Sequence, residues 1–275
     1  KSNLNQRTYI NKIEAIQEHI RSGDIYQANM TREIKGDFAG NTVMLAKKLL
    51  ESNNIEFGGY LCAKQGKIIS TSPERFFKIE NQTITVSPIK GTLPRGRDNK
   101  EDEEIQNRLL NDTKNRRELA MIVDLLRNDI SKICTPGTVT VDKFPELMTL
   151  QNVFHLVANI TGKMNTKLFT EIITALFPGG SISGCPKIRA CQIIDTLETT
   201  PRGPYTGSIG YICSNGTMDF NILIRTVFQY ADKIQFNVGG GITLLSDPKE
   251  EFNETCHKAK NIFSALNATE TNIYD

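Results

Sequence analysis

From Gly59 to Ser87 the chain reads GYLCAKQGKIISTSPERFFKIENQTITVS. Gly59 to Ala63, Lys67 to Thr71, Arg75 to Glu80 and Thr83 to Ser87 are short apolar or β-branched runs, separated by turn residues at Gln65-Gly66, Ser72-Pro73 and Asn81-Gln82. Four strands this close together predict an antiparallel meander. Upstream, Ile10, Ile13, Ile16 and Ile20 fall at helical spacing within Tyr9 to Arg21, a strand is expected from Ile25 to Ile34, and a helix from Thr42 to Glu51.

Downstream, helices are expected over Lys100 to Leu110 and Lys114 to Ile130, then strands from Thr138 to Phe144 and Gln151 to Thr161. Helices Leu168 to Leu176 and Lys187 to Leu197 come next. Strands Gly207 to Cys213, Met218 to Tyr230 and Lys233 to Val238 precede a last helix from Pro248 to Leu266. Strands arrive in blocks rather than alternating with helices, which predicts an α+β fold of largely antiparallel sheets flanked by helices. No repeat, linker or low-complexity stretch divides the 275 residues, so one domain is expected over 1–275.

Composition narrows the function. The net charge is +2, basic residues are spread along the chain, and aromatic residues make up 7% with no Trp, which argues against nucleic-acid binding. Apolar runs are too short for a membrane span and the N-terminal residues have no signal-peptide core, so a cytoplasmic protein is expected. The six cysteines form no C-x-x-C pair and, with three histidines, no zinc spacing; reduced, mostly buried thiols are expected.

Some residues sit against the local rule. On the helix Lys114 to Ile130, one turn back from the apolar Met121 and Ile122 stands Glu118, pointing as the core does or reaching water from the first turn. On the last helix, Glu251, Glu254 and Lys258 share a face beside the stripe of Phe252, Cys256, Ala259 and Phe263, the pattern of a surface ion-pair row. Just before it, Gly239, Gly240 and Gly241 form either a flexible hairpin or a bend whose bare N–H groups take an anion. The loop from Pro178 to Lys187 leads into a helix start, another anion-binding geometry. Lys90, within Pro88 to Thr92, is either a solvated loop lysine or a strand-end residue facing a pocket. The acidic run Glu101 to Glu104 reads as a solvated helix cap.

In order, the segments Gly23 to Asn29, Ser72 to Arg75, Pro88 to Thr92, Met121 to Asp129, Gly180 to Lys187, Gly207 to Gly210, Ile224 to Thr226, Gly239 to Ile242 and Ser246 to Pro248 resemble the chorismate-utilising enzyme family. That family includes anthranilate, aminodeoxychorismate, isochorismate and salicylate synthases, and the resemblance runs from about residue 7 to residue 266. The N-terminal segment of longer members is expected to be absent.

The resemblance implies Mg2+ as cofactor, with Glu118 and Glu254 as direct ligands and Glu251 in the same carboxylate group; hard oxygen donors suit that ion. It implies that Arg225 and Tyr205 grip the enolpyruvyl carboxylate with the amides of Gly239, Gly240 and Gly241. Lys258, Ser181, Thr92 and Gln27 are further substrate positions, Glu74 a general acid and His155 a residue beside the ring. Gln27 stands where hydroxylating members carry a water-activating lysine. Lys90 stands where anthranilate synthases carry alanine, the substitution that marks aminodeoxychorismate synthase component I. One turn before Glu118, Asn115 replaces an expected acidic residue.

The implied reaction is amination of chorismate to 4-amino-4-deoxychorismate for para-aminobenzoate and folate synthesis, with ammonia from a glutamine amidotransferase partner and Lys90 as covalent nucleophile. The rivals are an anthranilate or 2-amino-2-deoxyisochorismate synthase, with nitrogen at C2, and a catalytically silent chorismate- or anion-binding subunit.

Overall fold

A computed structural model of the protein describes residues 1–51 and 55–268. Helix α1 (Gln6–Arg21) is followed by strand β1 (Gln27–Asp37), helix α2 (Thr42–Glu51) and strands β2 (Gly59–Ala63), β3 (Gly66–Ser70), β4 (Arg75–Glu80), β5 (Thr83–Val86) and β6 (Ile89–Pro94). Then come α3 (Asn99–Asn111), α4 (Thr113–Ser131), β7 (Thr140–Thr149), β8 (Val153–Lys163) and α5 (Phe169–Leu176). After a 3-10 turn at Gly180–Ile182, the chain continues through β9 (Gly184–Cys185), α6 (Lys187–Leu197), β10 (Gly210–Ile212), β11 (Met218–Asn221), β12 (Thr226–Tyr230), β13 (Lys233–Ile242) and α7 (Pro248–Leu266). Helices and antiparallel sheets give the expected α+β class.

The elements gather into two compact units. The first holds Lys1–Pro73, Ser181–Ser208 and the chain from Ile222; the second holds Glu74–Gly180 and Ile209–Asn221. In the first, a six-stranded sheet runs in the order β2-β3-β12-β13-β1-β9. Its long β1–β13 ladder pairs Ala28 with Ile242 at one end and Asp37 with Lys233 at the other. Tyr9, Ile13 and Ile16 of α1 pack with Ala28 and Met30 of β1, Ala190 and Ile193 of α6, and Phe252 of α7. Leu45 and Leu49 of α2 pack with Val227, Phe236, Val238, Ala259 and Phe263. Each fully buried Val, Leu, Ile, Met or Phe among these contributes about 1.5–3 kcal/mol.

Arg32 is fully buried among them. Its Nε donates to Thr255 Oγ1 at 2.8 Å and its guanidinium lies 5.1 Å from the centre of the Phe252 ring, so the charge enters the interior with partners.

The second unit is built on a seven-stranded sheet, β10-β11-β4-β5-β8-β6, with β7 paired to β8. The long β8 takes β5 along its C-terminal part and β6 along its N-terminal part. Phe77 stacks on Phe220 at 5.1 Å, and Phe169 lies 5.5 Å from the same ring. Leu119, Ile122, Leu126 and Ile130 make the buried side of α4.

The strands from Gly59 to Ser87 are not one meander. β2 and β3 belong to the first sheet, and β4 and β5 to the second, the chain passing from one unit to the other between Pro73 and Glu74. Two hairpins joined by Ser72-Pro73 look like four successive strands in sequence; long-range partners, β12 for β3 and β11 for β4, separate them. The single strand expected from Met218 to Tyr230 is likewise two, β11 and β12, in different sheets.

The acidic run at α3 is not only a solvated cap. Asp102 is buried, accepts from the Gly96 N–H at 2.6 Å and from Arg95 Nε at 2.8 Å, and so closes the turn between β6 and α3. Of the cysteines, only Cys134 is buried, whereas Cys62 and Cys213 are exposed, so the expectation of mostly buried thiols fails. Among the described residues no helix is long and apolar enough to cross a membrane.

Candidate functional site

In the second unit, Lys90 lies within β6 rather than on a solvated loop. Its Nζ is 4.0 Å from Glu118 Oε2 on α4, and the two side chains are only 16% and 15% exposed. Lys114, one turn earlier on α4, brings its own Nζ to 4.0 Å from Glu118 Oε1. Glu118 thus faces two cations from the second turn of α4, and the reading of it as simply reaching water from the first turn does not hold.

The register explains how Lys90 is aimed. β6 pairs Lys90 with Leu156 and then Thr92 with His155, so Gly91 is one residue too many for β8 and forms a bulge. Gly91 has φ +67°, and a Cβ there would lie 2.8 Å from Leu109 Cδ1 and 2.9 Å from Asn115 Cγ. Asn115, where an acidic residue was expected, closes over this glycine. Beyond the bulge, Thr92 Oγ1 is 2.8 Å from Nδ1 of the buried His155, which fixes the imidazole ring. Glu74 stands partly buried just before β4, next to Arg75, whose guanidinium makes two bonds to Asp219 at 3.0 and 3.1 Å.

In the first unit, Arg225, Glu254 and Lys258 line one cavity of about 240 Å3 together with Thr71, His257 and Asn261, against the apolar Leu49, Ile55 and Ile262. Such mixed lining, with a few polar groups set in an apolar wall, suits a small ligand. α7 supplies most of the polar side. Asp247 caps its N-terminus by accepting from the Lys249 and Glu250 N–H groups, both at 2.9 Å, and Pro248 fills the first turn where no donor is needed. Glu254 and Lys258 pair at 2.6 Å, and Lys258 Nζ also donates to Gly239 O at 2.8 Å.

Gly239, Gly240 and Gly241 are neither a hairpin nor a loose loop. They extend β13 and pair with Thr31, Met30 and Asn29 of β1. Close approach to backbone demands glycine at the first of the three. A Cβ at Gly239 would be 2.3 Å from Met30 O, and one at Gly240 would be 2.9 Å from Glu251 Oε2. The β12–β13 ladder reaches only to Val227–Phe236, so among the described residues the glycine run has a strand partner on its β1 side alone.

The remaining expected positions of this unit lie outside the lining of that cavity. Glu251 is buried and accepts from Ser246 Oγ at 2.7 Å. Tyr205 is 4% exposed, its phenol pushed well above the ordinary tyrosine range by burial, on a loop held by the Arg202–Glu198 ion pair at 2.8 Å. Ser181 sits in the 3-10 turn, partly buried. Gln27 is 1% exposed, and neither end of its amide has a hydrogen-bond partner.

Carboxylate oxygens are the right chemistry for Mg2+. Among the described residues, however, no three His, Cys, Asp or Glu side chains are gathered closely enough to hold a metal ion. As they stand, Glu118 and Glu254 face lysines.

Sequence reasoning passed over Thr71, His257 and Asn261. The last two follow Glu254 by three and seven residues on α7 and could have been read from helical spacing. Thr71 carries no local signal; the pairing of β3 with β12 brings it to the cavity.

A model of chorismate binding enzymes matches residues 1–264. The chain belongs to this family. It is 40% identical over 269 residues to the aminodeoxychorismate synthase component 1 of Salmonella typhimurium, covering 96% of this chain and 59% of that protein. It is 37% identical over 267 residues to the anthranilate synthase component 1 of Saccharolobus solfataricus, covering 96% and 63%. Among solved structures, an anthranilate synthase component I from Streptococcus pneumoniae superposes with a TM-score of 0.87 at 32% identity, covering 95% of this chain and 58% of that one. The chain thus spans about three fifths of the length of these relatives.

Proposed function

We propose that the chain aminates chorismate at C4 to give 4-amino-4-deoxychorismate, with Lys90 as covalent nucleophile. The observation that carries this is the placement of Lys90: a lysine amine, 16% exposed, on strand β6 and 4.0 Å from Glu118, in a chain 40% identical to an aminodeoxychorismate synthase component 1.

In this reading the Lys90 amine adds to ring C2, the double bond shifts, and the C4–O bond breaks as Glu74 gives its proton to the departing hydroxyl, which leaves as water. Ammonia then attacks C4, the double bond returns, and the C2–N bond breaks to free Lys90. The new C4 ammonium returns one proton to Glu74, so the sum is chorismate plus ammonia giving aminodeoxychorismate plus water. Arg225 and Lys258 offer positive charge to the substrate's carboxylates, and Thr92 holds His155 for its place beside the ring.

Mg2+ belongs to the proposal as the cofactor the resemblance implies; Glu118 is its candidate ligand in the second unit and Glu251 and Glu254 are those in the first, and bound Mg2+ would neutralise carboxylate charge. So does a glutamine amidotransferase as ammonia donor, which the words "component 1" in the names of the relatives support. Cytoplasmic location and a place in para-aminobenzoate and folate synthesis complete the reading.

Amination at C2, as in an anthranilate synthase, is the second reading. The Saccharolobus and Streptococcus proteins favour it.

The test is to incubate the purified chain with chorismate, Mg2+ and ammonium and identify the product by chromatography and mass spectrometry. The proposal expects the 4-amino product, a covalent adduct when ammonium is omitted, and loss of both in Lys90→Ala. Anthranilate as product supports the second reading. Unchanged product and rate in Lys90→Ala removes the nucleophile role, and no Mg2+-dependent consumption of chorismate leaves a silent binding subunit.

A further inference from the structure

Among the described residues of the cavity wall, only Arg225 has a left-handed backbone, with φ +48°. L side chains rarely adopt that conformation without something to hold it there. The β3–β12 ladder ends at the Ser70–Thr226 pair, and Arg225 is the next residue out. Opposite it stands Thr71, whose backbone N–H donates to Arg225 O at 3.1 Å and whose Oγ1 donates to the same oxygen at 2.7 Å. On the other side of Arg225, Thr226 Oγ1 donates to Ile224 O at 2.8 Å. The carbonyls of both peptide planes that flank Arg225 are therefore held by hydroxyls, and the orientation of those two planes is what sets its φ and ψ.

We propose that Thr71 is a positioning residue for substrate binding: its hydroxyl locks Arg225 in the left-handed conformation that turns the guanidinium into the cavity. The assignment rests on the reading of Arg225 as a carboxylate-binding residue. Thr71 and Arg225 line the same cavity as Lys258, so a guanidinium released from this turn leaves the ligand's carboxylate with less positive charge. A plain strand-end cap would give the same hydrogen bonds but no such consequence.

Thr71→Val keeps the β-branched shape and the backbone N–H and removes only the hydroxyl; Thr71→Ser restores it. With chorismate as substrate, Thr71→Val is expected to raise KM roughly fivefold, the effect of losing one hydrogen bond, while kcat stays within about twofold and Thr71→Ser regains the parent KM. In an Arg225→Ala background, Thr71→Val should add nothing. An unchanged KM, or the full increase persisting without the arginine, overturns the proposal. Crystal structures of the parent and of Thr71→Val decide it independently of turnover: Arg225 leaving the left-handed region in the variant supports it, and Arg225 unmoved refutes it. If the parent chain does not consume chorismate, the functional reading falls while that comparison still decides the role of Thr71.

Discussion

Adding one methyl group at Gly91 should disturb the bulge that carries Lys90 more than any local rule suggests. Two costs combine. At φ +67° an alanine occupies the left-handed region, which costs about 1–2 kcal/mol. Its Cβ would also stand 2.8 Å from Leu109 Cδ1 and 2.9 Å from Asn115 Cγ, and Leu109, 1% exposed, has nowhere to turn. Overpacking of this kind costs about 1–3 kcal/mol. Against these, the smaller freedom of the unfolded alanine chain returns about 0.4–1 kcal/mol. The net expectation is a destabilisation of about 1–5 kcal/mol, read as a fall in urea midpoint at unchanged slope. Gly137→Ala supplies the control, because Gly137 in the same unit has φ +80° and nothing within 4 Å of its added Cβ. The excess of Gly91→Ala over Gly137→Ala is the steric part, and Asn115→Ala should recover some of it in the double variant. Equal losses for the two glycine variants would refute the argument that Leu109 and Asn115 enforce the glycine.

Three further outcomes are expected. Arg95 donates to Asp102 and holds its carboxyl below the usual carboxylate range; the stability from this depressed value is present above the unfolded pKa of about 3.9 and is lost as pH falls through the folded value. Asp102→Asn should therefore weaken the protein at neutral pH and flatten its acid unfolding curve below pH ~4, measured by circular dichroism. Burial pushes the Cys134 thiol up to about 11, so at neutral pH a disulfide reagent should label the exposed Cys62 and Cys213 quickly and Cys134 only after denaturation. Glu254→Gln should weaken Mg2+ binding in a calorimetric titration while Glu250→Gln, exposed on the first turn of the same helix, leaves it unchanged; equal affinities in all three proteins would remove Glu254 from the metal site.

Much of the fold was legible because its signals are local. The helix spacing of Pro248 to Leu266 and the apolar runs of Gly59 to Ala63 and Arg75 to Glu80 gave element bounds that the structure keeps. Partners were not legible. Nothing within Met218 to Tyr230 says that the chain changes sheets between Asn221 and Thr226, because both halves are equally strand-like and only their neighbours differ. The acidic run at α3 reads as solvated for the same reason, since the Arg95 that buries Asp102 announces no pairing in sequence.

By itself the sequence determined the α+β class, the helices and many of the strands, the resemblance to chorismate-utilising enzymes and the residue types that fill its motifs, Lys90 and Gln27 among them. Only the tertiary structure decided that Gly59 to Ser87 divides between two sheets, that Gly239 to Gly241 is a paired strand, that Gly91 is a bulge closed by Asn115, and that Thr71 meets Arg225. The physical reason is range. Helical period, turn chemistry and motif spacing act over a few residues and are written in the chain, whereas strand pairing and side-chain closure join segments as distant as Thr71 and Arg225 and exist only once the sheets have formed.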